Sequence, residues 1–120
     1  LKRRKEFWPH IMISSFNPLA MRRAERLMKK TFPLGIIYEG ENIPIICRKG
    51  QGRFLFDCSF LKPKWNIAER EKESKPNWTV CPWTVDTEEG IKAMLGLSVP
   101  LIITNDPVLA IRTLQGENRR

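Results

Sequence analysis

The chain has 120 residues, 42% hydrophobic and 28% charged, which is enough for one domain with a real core and is ordinary for a globular protein. No apolar run approaches the length needed to cross a bilayer; Leu97–Ile103 comes nearest. The formal net charge is +8, but the basic clusters (Lys2–Lys5, Arg22–Lys30, Arg48–Arg53, Lys62–Lys75) fall on predicted helices, loops and termini with Glu among several of them, so they read as solvated faces and not as a nucleic-acid surface.

The opening Leu1-Lys2-Arg3-Arg4-Lys5 lacks the apolar stretch of a secretory signal. The first residue is Leu and not Met, which suggests processing or an internal piece of a longer chain. Cys47, Cys58 and Cys81 are odd in number and have no metal-like spacing, so they read as reduced, mostly buried thiols of a cytoplasmic protein.

Leu1–Phe7 reads as a helix end or a flexible basic start, broken by Trp8-Pro9-His10. Ile11-Met12-Ile13 predicts a short strand buried on both faces, closed by Ser14-Ser15-Phe16. Asn17-Pro18 starts a helix, with Asn as N-cap and Pro at the first helical position. Ala20, Ala24, Leu27 and Met28 give that helix one apolar face, and Pro33 stops it. Leu34–Tyr38 is the next apolar strand, and Glu41–Gly52 reads as loop with at most one helical turn. Arg53–Phe60 predicts a third strand, ended by Leu61-Lys62-Pro63. Lys64–Lys75 predicts a charged helix anchored by Trp65, Ile67 and Ala68.

The stretch Trp78–Asp106 is the clearest unit: strand Thr79–Val85, a helix capped by Asp86 or Thr87, then strand Val99–Thr104. Ile91, Met94, Leu95 and Ser98 mark the inner face of its helix. Strands joined through a helix should run parallel with a right-handed crossover. Asn105-Asp106-Pro107 then starts a last helix over Val108–Leu114, with Gly116–Arg120 expected to fray. No Gly-rich phosphate loop follows the first strand, which disfavours a dinucleotide fold. Five parallel strands with flanking helices therefore fit either an open flavodoxin-like sheet or five-eighths of a TIM (β/α)8 barrel.

The wording narrows this. Ile13-Ser14-Ser15-Phe16-Asn17-Pro18, Pro33-Leu34-Gly35-Ile36-Ile37-Tyr38, Trp83-Thr84-Val85-Asp86 and Ile102-Ile103-Thr104-Asn105 with Pro107 resemble, in order and spacing, the C-terminal part of the glycerophosphodiester phosphodiesterase family. Two departures stand at strand ends: Asp86 replaces the usual Asn, and Asn105 replaces the usual Asp. Ser98, Pro100 and Leu101 also replace the usual Gly, Asp and Gly.

The resemblance implies a partial TIM-type barrel, about its last five strands, with residues 1–120 as a single domain. It implies a metal-dependent hydrolase that releases glycerol 3-phosphate and an alcohol from a glycerophosphodiester. The family's two catalytic histidines and its divalent cation (Ca or Mg) belong to the N-terminal half, so no catalytic residue and no metal ligand is expected here. The partner so implied is the missing N-terminal half of the barrel. His10, the only histidine, sits before its strand, at the rim opposite barrel chemistry.

The substrate contacts expected are Ser15, Phe16, Lys62, Trp83 and Thr84, with Phe16 and Trp83 as an apolar wall and Lys62 as a point cation for phosphate. Asp86 and Asn105 are expected to cap helices. A five-strand sheet with two open edges is expected to fold only marginally alone. The competing reading is a non-catalytic module, from a degenerate or split barrel, that binds phosphodiesters or a partner.

Overall fold

The computed structural model describes residue 6 and residues 10–28, 31–44 and 47–118. The expectation for the first residues lies almost wholly outside that set. The described elements are β1 (Ile13–Ser15), α1 (Pro18–Met28), β2 (Leu34–Tyr38), β3 (Phe60–Pro63), α2 (Ala68–Ser74), α3 (Glu88–Gly96) and α4 (Pro107–Asn118). This is an α/β fold with a three-stranded parallel sheet in the order β1-β2-β3. The chain divides into two compact units, residues 1–62 and 63–120.

In the first unit β1 pairs with β2 in the register Ile13 to Leu34, Ser14 to Gly35 and Ser15 to Ile36. β2 is the buried centre: Leu34, Ile36 and Tyr38 are all buried. β1 is at the sheet edge and its three residues are only half-buried, so the expected strand at 11–13, buried on both faces, is corrected to 13–15. Asn17 caps α1 as predicted, its Oδ1 accepting from the backbone N–H of Leu19 at 2.9 Å and Ala20 at 3.3 Å. The buried side of α1 is turned from the predicted one. Met21 is buried, whereas Leu27 is 72% exposed. Glu25, half-buried, uses its Oε2 to accept from the backbone N–H of Asp57 at 2.8 Å.

The predicted strand over 53–60 is corrected too. Gln51–Phe54 is a 3-10 turn and the strand is Phe60–Pro63. The cause lies in two glycines. Gly50 has φ of 72°, which ends extended backbone there. Gly52 approaches so closely that a Cβ would stand 2.8 Å from the Cβ of Pro18. Phe54 and Leu55 consequently face solvent and only Phe56 is buried.

In the second unit, a 3-10 turn at Trp65–Ile67 leads into α2. Its core is Ala68, Val85, Ile91, Met94 and Ala110, with Trp65, Leu97, Val99, Ile102 and Leu109 packed against it. Thr87 is the cap of α3, its hydroxyl accepting from the Gly90 N–H at 3.1 Å. Asp106 caps α4, its Oδ1 accepting from the Leu109 N–H at 3.0 Å. Helix α4 runs to Asn118, past the expected fraying point.

The two strands predicted over 79–85 and 99–104 are extended segments without a regular ladder. Trp83 does make one parallel bridge: its N–H donates to Pro63 at 3.1 Å and its carbonyl accepts from Trp65 at 2.6 Å. On its other side, Ile103 donates to Pro82 at 3.0 Å and accepts from Val85 at 2.8 Å. Those partners are three residues apart and not two, so one extra residue bulges out between Pro82 and Val85. Pro82 and Pro100 also lack the N–H that a ladder needs.

Candidate functional site

The candidate residues lie in both units. In the first, residues on alternate positions of a strand share a face. Phe60 and Lys62 therefore project to one side of β3. That side is the one on which Gly35 has no side chain, since a Cβ there would stand 2.2 Å from Cε2 of Phe60. Across the bare backbone of Gly35, the Lys62 ammonium donates to Ser14 Oγ at 2.8 Å. Lys62 and Ser14 are both half-buried. The sheet thus holds a lysine charge over β2, fixed by a hydroxyl on β1.

Ser15, the serine singled out from sequence, does a different job. Its Oγ accepts from the Asn17 N–H at 3.1 Å, closing the turn into α1. Ser14 was overlooked, although alternation along Ile13–Ser15 offered the signal: Ser14 and Ser15 cannot share a face. Phe16 follows the strand and is 45% exposed, so it offers an aromatic surface at the strand's C-terminal end.

In the second unit Trp83 and Thr84 are half-buried and occupy the bulge between Pro82 and Val85. An extra residue at such a point turns side chains away from their regular alternation. Just beyond it, Asp86 and Asn105 meet directly. Asp86 Oδ1 accepts from the Asn105 backbone N–H at 2.7 Å and from Thr104 Oγ1 at 3.0 Å. Asp86 Oδ2 accepts from Asn105 Nδ2 at 3.1 Å. The backbone N–H of Asn105, foremost, holds the Asp86 carboxyl below the usual aspartate range, helped by its amide and by Thr104. Of the two caps offered for α3, Thr87 is the one used and not Asp86, and the expectation that Asn105 caps α4 is corrected to Asp106. The freed pair ties the ends of the two extended segments together.

Other titratable groups contribute less. Burial pushes the Cys58 thiol up, outweighing the lowering effect of backbone contacts with Phe60 and Ile36. All three cysteines are free; Cys81 is buried and the other two are half-buried, which is less burial than expected. His10 is exposed. Among the described residues, no three His, Cys, Asp or Glu side chains stand close enough to hold a metal ion. No described helix is long and apolar enough to cross a membrane.

The arrangement can present a cation and hydroxyls in one unit, and an indole beside a rigid carboxylate–amide pair in the other. The fold is similar to a glycerophosphodiester phosphodiesterase from Parabacteroides distasonis, with a TM-score of 0.71 at 17% identity, over 97% of this chain and 48% of that one. It is similar also to an Oleispira antarctica phosphodiesterase in complex with the product sn-glycerol-3-phosphate, with a TM-score of 0.68 at 18% identity, over 95% and 47%. A third neighbour, from Silicibacter pomeroyi, gives 0.69 at 16% identity over 96% and 41%. The chain thus spans less than half the length of each. No family model matches it, nor does any curated protein. The likeness read in the sequence is matched at the level of fold.

Proposed function

We propose that this chain is the C-terminal portion of a glycerophosphodiester phosphodiesterase, built as the last five strands of a TIM-type barrel. The observation that carries this is the fold likeness, over 95–97% of the chain, to two phosphodiesterase structures, one of them holding sn-glycerol-3-phosphate. On this reading residues 1–120 are part of one domain, and the extended segments around Trp83 and Ile103 supply its fourth and fifth strands. The whole barrel hydrolyses glycerophosphodiesters to glycerol 3-phosphate and an alcohol, in the cytoplasm.

This chain's share of that chemistry is binding. Lys62, steadied by Ser14, offsets phosphate charge as a point cation. Phe16, next to Ser15 in the first unit, and Trp83, next to Thr84 in the second, each offer an apolar surface suited to the glycerol. Asp86, Thr104 and Asn105 hold the segment that carries Trp83. General acid–base work needs a positioned proton carrier near the leaving oxygen. The chain's one histidine, exposed before β1, does not supply a pair of them. The divalent cation of the family finds no fitting ligand set in the described residues, and on this reading its ligands belong to the N-terminal half.

The test is hydrolysis of glycerophosphocholine with added Ca or Mg. The 120-residue chain alone should give none. Joined to an N-terminal half carrying the two histidines and the acidic ligands, it should turn over. Turnover by the chain alone would overturn the assignment of roles, and binding without turnover by the joined protein would favour a non-catalytic phosphodiester-binding module.

A further inference from the structure

The charge of the chain is unevenly placed. Residues 1–62 hold 13 Lys and Arg against 5 Asp and Glu, whereas residues 63–120 hold 8 of each, so the whole +8 belongs to the first unit. One-sided charge of this kind suits a half of the chain that meets an anionic surface. Part of it is gathered beside one cleft. Arg22 and Arg26, one turn apart on α1, are both exposed. With Phe54 and Leu55 they border an open cleft of about 410 Å³. Phe54 is 71% and Leu55 45% exposed, two adjacent large apolar side chains at solvent. Arg53 braces the turn that presents them. Its Nη1 donates to the carbonyls of Lys49 at 3.2 Å and Gly50 at 2.8 Å, and its guanidinium lies 4.1 Å from the centre of the Phe54 ring. Two acids, Glu25 and Asp57, line the cleft as well, and Glu25 is half-buried with Oε2 held by the Asp57 N–H. They are the only acids in α1 and residues 48–57, which together carry six Lys and Arg.

We propose that this face docks the first unit onto an anionic lipid surface, with Phe54 and Leu55 entering the interface while Arg22 and Arg26 meet the lipid phosphates. The inference goes beyond the phosphodiesterase reading and does not rest on it. A bilayer surface offers a charged layer directly above an apolar one, and cations set beside exposed Phe and Leu match both layers at once. Guanidinium groups suit phosphate through their fixed fork of donors. A nucleic acid offers phosphates and base faces, but no apolar layer to receive Leu55 beside Phe54. A second copy would set the same cations against one another. Because Arg53 already fixes the turn, docking has little backbone left to order.

The test is cosedimentation of the 120-residue chain with vesicles of phosphatidylcholine, alone or mixed with phosphatidylserine, over a salt series. The chain should bind the mixed vesicles and not the phosphatidylcholine ones, and salt should release it. A cation near such a surface contributes about 1 kcal/mol, or about fivefold in binding, so Arg22→Gln/Arg26→Gln should weaken binding about thirtyfold. Phe54→Ser, which removes the inserted ring, should weaken it about tenfold or more. These three positions are exposed, so the variants should melt with the parent chain. Arg70→Gln/Lys92→Gln removes the same charge from exposed positions of the second unit and should leave binding unchanged. Failure to bind the mixed vesicles would overturn the proposal. So would equal losses in the two double variants, which would reduce the effect to net charge, or full binding by Phe54→Ser. Tighter binding to a DNA duplex or to polyglutamate at matched charge would assign the face to a nucleic acid or an acidic protein and overturn it too. No arm reads hydrolysis, so failure here leaves the functional reading where it stands.

Discussion

Gly35→Ala is the most decisive single change that the structure offers. The added Cβ would stand 2.2 Å from Cε2 of Phe60, 2.4 Å from Cζ and 2.6 Å from Cδ2. A normal carbon contact is about 3.5–4.0 Å. The overlap is therefore more than an ångström against the face of a ring. The ring cannot swing into solvent freely, since Phe60 is 3% exposed. Forcing a methyl into a packed core of this sort costs about 1–3 kcal/mol. The strain should also spread β3 from β2 and lengthen the reach of Lys62 to Ser14, now 2.8 Å. Urea unfolding in the cold, followed by tryptophan fluorescence, measures the loss. The second arm is Phe60→Leu, which alone should cost on the order of 1 kcal/mol as a loss of packing. Combined with Gly35→Ala it should recover part of the damage, so that the two changes are less than additive. A neutral Gly35→Ala, or a double variant at which the two costs simply add, would refute the claim that the ring fills the space of the missing side chain.

Other outcomes follow from single contacts. The Lys75–Glu71 ion pair is 3.0 Å long with the two side chains 10% and 3% exposed. Lys75→Met should therefore cost about 3–5 kcal/mol by stranding a carboxylate, while the double variant Lys75→Met/Glu71→Leu should cost clearly less, as read from urea midpoints. Asp86 has its folded-state value lowered below the ordinary 3.8, so its bonds stabilise the chain above that value and are lost as pH falls through the lower one. An Asp86→Asn variant should show a weaker acid limb in stability against pH, and an unchanged limb would count against the network. The Cys58 thiol, raised by burial, should alkylate more slowly than a denatured control near pH 8, because the thiolate is the nucleophile; equal rates would argue that the site is open.

Local chemistry was the most legible part of the sequence. Asn17-Pro18 announced a cap and the side chain makes it, because a short amide acceptor beside a residue with fixed φ leaves few alternatives. Leu34–Tyr38 was found to the residue, being an apolar run between breakers. Phe54-Leu55-Phe56 misled, since a run of apolar residues cannot disclose that Gly50 turns the chain and that Phe54 ends 71% exposed. The segments near Trp83 and Ile103 looked like strands because their residues are apolar and β-branched. Their prolines and the three-residue step between Pro82 and Val85 deny them a regular ladder. On α3, Ile91 and Met94 were placed correctly inside, whereas Leu95 lines an open cleft and Ser98 turns out at φ of 57°. Lys62 drew attention in the sequence through its cation alone. Its partner did not, because the contact joins positions forty-eight residues apart across a strand.

Pairings of that long-range kind also change the meaning of the sequence's departures from its look-alikes. Asp86 and Asn105 seemed two independent oddities, each an acid–amide exchange against the resembling pattern. The structure puts them in contact, Oδ2 to Nδ2 at 3.1 Å, so the two departures lie in one hydrogen-bonded pair. An amide and a carboxylate are complementary in either order, since one supplies the N–H and the other accepts it. Asn105→Asp alone would set two carboxylates face to face, and Asp86→Asn alone would leave two amides whose bond no longer carries a charge. Asp86→Asn with Asn105→Asp should restore the bond in reverse, because an amide oxygen at 86 still accepts from the backbone N–H of residue 105 and from Thr104. Thermal melts of the four proteins decide it: the double variant should match the native chain more closely than Asn105→Asp does. If the double variant were as impaired as the sum of the singles, the two positions would be uncoupled, and the rim bond would not be what holds the Trp83 segment in place.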